Sequence, residues 1–259
     1  VSRKHKGERL AVGDVLELDA AYGRGEAPLA DATLSIEVVA EGQGFVVVNK
    51  PAGVAVRPHA LDEIGTVLNA MVARHPEIVG VGEGGLRSGI VHRLDLGTSG
   101  TLLIATQPAT WERFRRAFAE HAIEKRYEAI VRGTISERGQ LEQHLRVRRH
   151  APARVEIVDR PTPGDGSRMC SLAWEVIERF GDRATHVAID LHTGFLHQVR
   201  VMMSGLGHSV IGDARYGDDA YASIVPRPML HAKRLAFKGF SAEVPLPDDF
   251  VEAANALRK

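Results

Sequence analysis

The run Ile90-Val91-His92-Arg93-Leu94-Asp95-Leu96-Gly97-Thr98-Ser99-Gly100 holds the residue types from which nucleophilic or acid–base chemistry is built. One carboxylate, Asp95, stands between an arginine two residues earlier and a Gly-Thr-Ser-Gly turn. Ile90 and Val91 lead in as an apolar pair, and Leu102, Leu103 and Ile104 resume a strand-like apolar run. Gly97 and Gly100 allow backbone conformations that other residues reach only with strain. The pattern therefore predicts a tight loop between two buried segments, where a rigid scaffold can hold Asp95 still. An ionised carboxylate so held can serve as nucleophile or general base. The same residue could instead be an Asx-turn or cap residue, and local pattern alone does not separate the two.

A second polar concentration is Thr193-Gly194-Phe195-Leu196-His197-Gln198-Val199-Arg200. Val199, Met202, Met203 and Leu206 follow at helical spacing up to Gly207, a natural residue to end a helix. His192, His197, His208 and Gln198 match no zinc spacing, and no Cys or carboxylate completes a set, so no metal is expected. The stretch His144–Arg154 carries Arg146, Arg148, Arg149 and Arg154 without an acid. It reads as a phosphate-contacting strip or as a flexible basic loop with no partner. A hydrolase working with one Asp would want a second carboxylate, and Glu63 and Glu83 lack any paired context.

The elements that must position these residues follow from hydrophobic period. Leu34–Val39 alternates and Phe45–Val48 is a continuous apolar run, so both read as strands with Glu41–Gly44 as the turn. Asn49-Lys50-Pro51-Ala52-Gly53 then fixes a second turn, leaving Lys50 beside it, where it could equally be a solvated cation. Thr66–His75 has apolar residues at 67, 68, 71 and 72 and stops before Pro76, which predicts an amphipathic helix. Gly80–Gly89 holds five glycines and should be a flexible loop. Ala109–Ala122 is the clearest helix, with Trp111, Phe114, Ala117 and Phe118 inward and Arg113, Arg115 and Arg116 on other faces. Glu124–Val131 alternates as a strand carrying Tyr127. Leu172–Arg179 and Ala184–Leu191 read as a hairpin about Gly181-Asp182. Leu235, Phe237 and Phe240 suggest a closing strand, and Pro247–Lys259 a surface helix.

Composition bounds the answer loosely. The 259 residues suit one large domain with or without a small appendage, and 44% apolar content supports a real core. Lysine plus arginine equal aspartate plus glutamate at 33 each, so an RNA partner would need a local basic face, not a global field. Cys170, the single cysteine, excludes an internal disulfide framework and fits a reducing cytosol. No run approaches the ~18 apolar residues of a membrane helix. The basic N-terminus lacks the apolar core of a signal peptide. The chain opens on Val1, not Met, which leaves room for sequence upstream.

HRLDLGTSG is similar, without a gap, to the HRLD-x-x-TSG signature of the RluA-type pseudouridine synthases. Four other segments resemble that family in order: the NKPAG turn at Asn49–Gly53, Lys-x-Tyr at Lys125–Tyr127, a TGR-T/S-HQ-I/L-R segment at Thr193–Arg200, and R-x-x-LHA at Arg227–Ala232. A GH-x-x-x-GD segment also recurs at Gly207–Asp213. The resemblance spans roughly Leu34 to Pro247. It implies a mixed α/β (α+β) fold: a large, mostly antiparallel sheet flanked by helices, with the cleft across it. It implies conversion of uridine to pseudouridine in an RNA, ribosomal or transfer, without a cofactor because the reaction is an isomerisation. Asp95 would be catalytic, with Arg200 its charge partner, and Tyr127 and Val199 on either side of the base. Arg93 would fill the vacancy left by a flipped-out uridine. His92, Thr98, Lys50, Arg146, Arg148 and Arg149 complete the expected substrate-binding set. Phe195 and Leu196 depart from the usual Arg and Thr or Ser.

Residues 31–259 would be the catalytic domain. Residues 1–30 would be a linker preceded by a candidate remnant of an S4-like RNA-binding module, Gly7–Leu18, or by a strand added to the main sheet. A cytoplasmic monomer is expected. The alternative is a non-catalytic RNA-binding or ribosome-assembly protein on the same fold.

Overall fold

The computed structural model describes residues 27–150, 152–217 and 225–259, so the candidate S4-like strand at residues 7–18 lies outside the described residues. Ten strands form one sheet: β1 (Glu37–Gly42), β2 (Phe45–Lys50), β3 (Ser99–Ala105), β4 (Glu124–Arg132), β5 (Arg138–His150), β6 (Ala153–Ile157), β7 (Arg168–Phe180), β8 (Ala184–Leu191), β9 (Leu230–Phe237) and β10 (Phe240–Glu243). Their spatial order is β1-β2-β3-β9-β4-β8-β7-β5-β6, with β10 on β9. Every pairing among the described residues is antiparallel except β3 with β9, which is parallel. Among the described residues four α-helices flank it: α1 (Val67–Arg74), α2 (Pro108–Ala119), α3 (Gln198–Gly205) and α4 (Asp248–Arg258). The mixed fold with a large, mostly antiparallel sheet is as the family resemblance implied.

Side-chain alternation decides which helix packs where. Val46, Val48, Leu102 and Ile104 point to α1 and its Leu68 and Met71. Val47, Leu103 and Ala105, from the same two strands, point the other way to Phe114 and Ala117 of α2. β3 is thus buried on both faces along its whole length, which is why it reads as a continuous apolar run. On β4, Ala129 and Val131 pack under α3, whereas Ile130 meets Phe250 and Leu257 of α4. Tyr127 packs against both the α1 cluster and the α3 cluster, so it stands at the seam between them.

Local chemistry sets the boundaries. Thr66 and Asn69 form a reciprocal capping box at the start of α1, and Pro76 follows its end. α2 opens on Pro108 in its first turn, and α4 carries Asp248 and Asp249 at its start and Arg258 at its end. β1 begins at Glu37 and not at Leu34, because the Asp31 carboxylate gathers the Thr33 N–H and hydroxyl and the Gly65 N–H into an Asx turn just upstream. The five-glycine segment is a pinned loop: the buried Ser88 hydroxyl accepts from Gly80 N–H and donates to the Gly85 carbonyl.

The largest departure is His144–Arg154, which is a β-hairpin made by β5 and β6, not a loop. Leu145 and Val147 face the core below α3 while the arginines face away. The charge density of the stretch concealed a period-2 alternation.

Candidate active site

The loop before β3 is held through several of its carbonyls at both ends. Trp111 Nε1 donates to Ile90 O at 3.0 Å and Arg115 to Val91 O at 3.0 Å. Leu96 O accepts from Gly53 N–H at 2.8 Å and from the Lys50 ammonium at 3.3 Å. Gly97 O accepts from Arg227 at 3.1 Å, whose guanidinium is itself fixed by Asp249 at 2.5 and 2.7 Å. The loop then enters β3 through Gly100 (φ 118°), where a Cβ would fall 2.2 Å from Ala232 O of β9. Only glycine allows that parallel contact.

Lys50 is therefore neither a substrate ligand nor a solvated cation. Its side chain is fully buried, and the ammonium donates to Pro51 O, Val54 O and Leu96 O. Burial, with the nearby Arg227 charge, lowers its pKa to about 8, so it keeps its proton at neutral pH. His92 is likewise occupied: its Nε2 accepts from Leu103 N–H at 2.9 Å, and its ring stacks on Phe118. Burial pushes its pKa down to about 3, so the imidazole is neutral. Arg93 differs from both. It is exposed and has no hydrogen-bond or ion-pair partner among the described residues.

Opposite the loop, Gln198 shapes the approach to α3. Its side-chain oxygen accepts from Phe195 N–H and the Thr193 hydroxyl, both at 2.9 Å, and its amide donates to Ser171 O. His197 takes the left-handed conformation (φ 53°) that turns the chain into the helix. Arg200 then projects to Asp95, Nη1 to Oδ2 at 2.9 Å. Its remaining edge makes a two-pronged pair with Asp213, at 2.6 and 2.8 Å. Burial opposes the Arg200 charge, but Asp213 and then Asp95 more than offset this and raise its pKa.

Asp213 is 1% exposed and also accepts from the backbone N–H groups of Arg215 and Tyr216. It is a second carboxylate in the site with its oxygens fully engaged, which removes the acid–base pair a single-Asp hydrolase would need. His197 Nε2 lies 3.9 Å from Asp95 Oδ1. Its Nδ1 is 2.7 Å from the Tyr216 hydroxyl, which accepts from Val155 N–H. Burial lowers the His197 pKa despite the Asp95 charge, leaving a neutral ring. Asp213, His197 and Tyr216 had no assigned role in the sequence. The signals were the GD pair of Gly207–Asp213 and the HQ pair of Thr193–Arg200; Tyr216 had none.

Asp95, Thr98, Tyr127, Val199 and Arg200 line one slot of about 60 Å³. Burial and the Asp95 charge raise the Tyr127 pKa, so the phenol stays protonated. The Thr98 hydroxyl is buried without a partner among the described residues. Two larger cavities, of about 620 and 680 Å³, share Arg93 with the slot. Arg146, Arg148 and Arg149 line none of the three. On their hairpin Glu156 takes Arg146 at 2.6 Å and lies 3.7 Å from Arg148. No group of three or more metal-ligating side chains occurs among the described residues, and no described helix is long and apolar enough to cross a membrane.

Residues 44–205, the stretch from the turn before β2 to the end of α3, match the model of the family described as RNA pseudouridylate synthase. This chain belongs to that family. Two ribosomal large subunit pseudouridine synthases D are among its relatives. The Yersinia pestis protein is 32% identical over 97% of this chain and 78% of its own length. The Vibrio vulnificus (strain CMCP6) protein is 34% identical over 87% and 72%. Among solved structures, human RNA pseudouridylate synthase domain containing 1 superposes with a TM-score of 0.64 at 28% identity, over 86% of this chain and 87% of that one. Human RNA pseudouridylate synthase domain containing 4 shares the fold, with a TM-score of 0.68 at 19% identity over 86% and 93%. As a member of this family, the chain is an RNA-directed isomerase.

Proposed function

We propose that this synthase converts uridine to pseudouridine in large-subunit ribosomal RNA, with Asp95 as the reacting group. The observation that carries the reading is the Asp95–Arg200 contact of 2.9 Å inside a slot walled by Tyr127 and Val199. The reaction breaks an N-glycosidic bond and rejoins the same base through carbon, and one ionised carboxylate against sugar and base suffices to begin it. Arg200, which cannot lose its charge, keeps that carboxylate compensated without a metal. The slot is reached only by a uridine that has left its stack, at a cost of a few kcal/mol. Unpartnered Arg93 sits at the mouth, where its guanidinium can take the place vacated in the strand. Tyr127 and Val199 then hold the base from its two faces.

The ribosomal substrate is supported by the names of the relatives; transfer RNA is the competing target. A cytoplasmic monomer goes with this reading, and light scattering of the purified chain checks the oligomeric state. Tritium release from 5-tritiated uridine in bulk ribosomal RNA and bulk transfer RNA tests the function. Release from the ribosomal fraction, followed by mapping of the modified position, is the expected result. Release from transfer RNA alone moves the substrate. Release from neither, with intact RNA binding, would mean a non-catalytic RNA-binding protein.

A further inference from the structure

Phe195 is a wall shared by two spaces. It lines the slot with Asp95, Tyr127 and Arg200, and it also lines the adjoining cavity of about 680 Å³. The apolar lining of that cavity includes Phe195, Leu196, Phe118 and Met169. Met169 is 52% exposed, a large apolar side chain left open to water on a strand. The cavity also carries Arg93, Arg115, Lys125 and Arg168, and Asp95 is its one acidic lining residue. Two of the cations are engaged as braces, Lys125 to Thr193 O at 3.0 Å and Arg115 to Val91 O. Arg93 and Arg168 have no ion-pair partner among the described residues.

Apolar and aromatic side chains beside guanidinium groups that have no ion-pair partner, with no lining acid except Asp95, are the chemistry that takes a nucleotide: a base face and a phosphate. Covalent continuity adds a constraint. A uridine in the slot brings its chain neighbours to the slot's mouth, and the space that shares Asp95, Tyr127 and Phe195 with the slot is this cavity. We infer that the cavity is a second base site, in which the nucleotide adjoining the target uridine unstacks and lies against Phe195 and Met169 with its phosphate toward Arg168. Because every base has a π-face, such a site sets the local geometry of the RNA without reading a particular base. The inference rests on the functional reading above and adds a residue-level contact to it.

A kinetic double cycle tests it. The probe is a synthetic stem-loop RNA built around the uridine mapped in the large-subunit rRNA, intact or with one flanking nucleotide made abasic, on either side in turn. The expected result is a loss in kcat/KM of about tenfold when one of the two flanking bases is removed, within the range for stacking on an aromatic residue. Phe195→Leu should show the same loss on intact RNA and no further loss on that abasic RNA, whereas Phe195→Trp should retain the dependence on the base. Met169→Ala, at a half-exposed position that cannot unfold the core, should show a smaller loss with the same coupling. Additive losses at both flanking positions, or an unchanged kcat/KM in Phe195→Leu, would overturn the second base site. Turnover by the wild-type chain tests the functional reading separately. If the wild type modifies no RNA, that reading fails and takes this inference with it.

Discussion

The Asp95 slot and the β5–β6 hairpin both set arginine against carboxylate, and they use the pairing in opposite ways. In the slot, Arg200 is buried and shared by Asp95 and Asp213, with both prongs on Asp213 and the third contact on Asp95. On the hairpin, Arg146 and Arg148 share Glu156 in the open, at side-chain exposures of 39%, 69% and 29%. The same residue types thus give a fixed electrostatic frame in one place and a solvated pair in the other. Burial is what separates them: it strengthens each interaction and makes an unpaired member costly.

The sharpest break is at Asp95, the carboxylate proposed to react. Asp95→Asn keeps shape and hydrogen-bonding capacity, and Arg200 remains paired with Asp213, so thermal unfolding should be nearly unchanged while tritium release disappears. Turnover by purified Asp95→Asn would take Asp95 out of the chemistry. Next in size, Asp213→Ala leaves a buried guanidinium half-compensated and should cost on the order of 3 kcal/mol in urea unfolding. Glu156→Ala on the hairpin should cost about 1 kcal/mol or less. Equal costs at the two sites would mean that burial does not separate the frame from the hairpin.

Arg200→Lys keeps the charge and loses the planar fork, so it can satisfy Asp213 or Asp95 but not both well. Turnover should fall at least ~10-fold, about 1.4 kcal/mol in the barrier; wild-type kinetics in this variant would mean the pairing is not used.

The frame should also show in the pH dependence of stability. Burial first, then nearby positive charge, holds His92 at about 3 and His231 at about 4, below the ordinary histidine value of 6.5. Above pH 6.5 both rings are neutral in folded and unfolded chains and contribute no slope. As pH falls below 6.5, the unfolded chain binds protons that the folded one refuses. Stability should then fall by up to about 1.4 kcal/mol per pH unit for each ring. Urea unfolding at pH 7, 6 and 5 measures it, and a flat profile would contradict the buried neutral assignment.

The smallest effect belongs to the hairpin. Removing one cation that neutralises a phosphate lowers the slope of log affinity against log salt by ~0.7 to ~0.9. With Glu156 already serving Arg146 and Arg148, replacing Arg146, Arg148 and Arg149 by Gln should change the slope by about one unit or less, the share of a single phosphate. A change near three would mean that RNA displaces Glu156 and that the hairpin is a full phosphate strip.

Much of the fold was legible because period is a local property. The capping residue Thr66, the stop at Pro76 and the apolar spacing of Trp111, Phe114 and Ala117 each act within a few residues. The hairpin was hidden because its pairing partner lies across a strand: Arg146 meets Glu156 ten positions away, and a count of charges along the stretch cannot register that. Lys50 was illegible for the same reason. Its three carbonyl partners include Leu96, 46 positions later.

By itself the sequence determined that Asp95 sits on a glycine-bounded loop between buried runs, and that Arg200 rides an amphipathic helix. Both follow from interactions reaching no further than a turn of backbone. Only the tertiary structure decided that Asp213 shares Arg200, that His197 lies beside Asp95 with Tyr216 behind it, and that Lys50 and Arg227 brace the loop. Those roles depend on burial and on approach between segments far apart in the chain. A residue's charge becomes a ligand, a brace or a solvated surface group only once the sheet has closed around it.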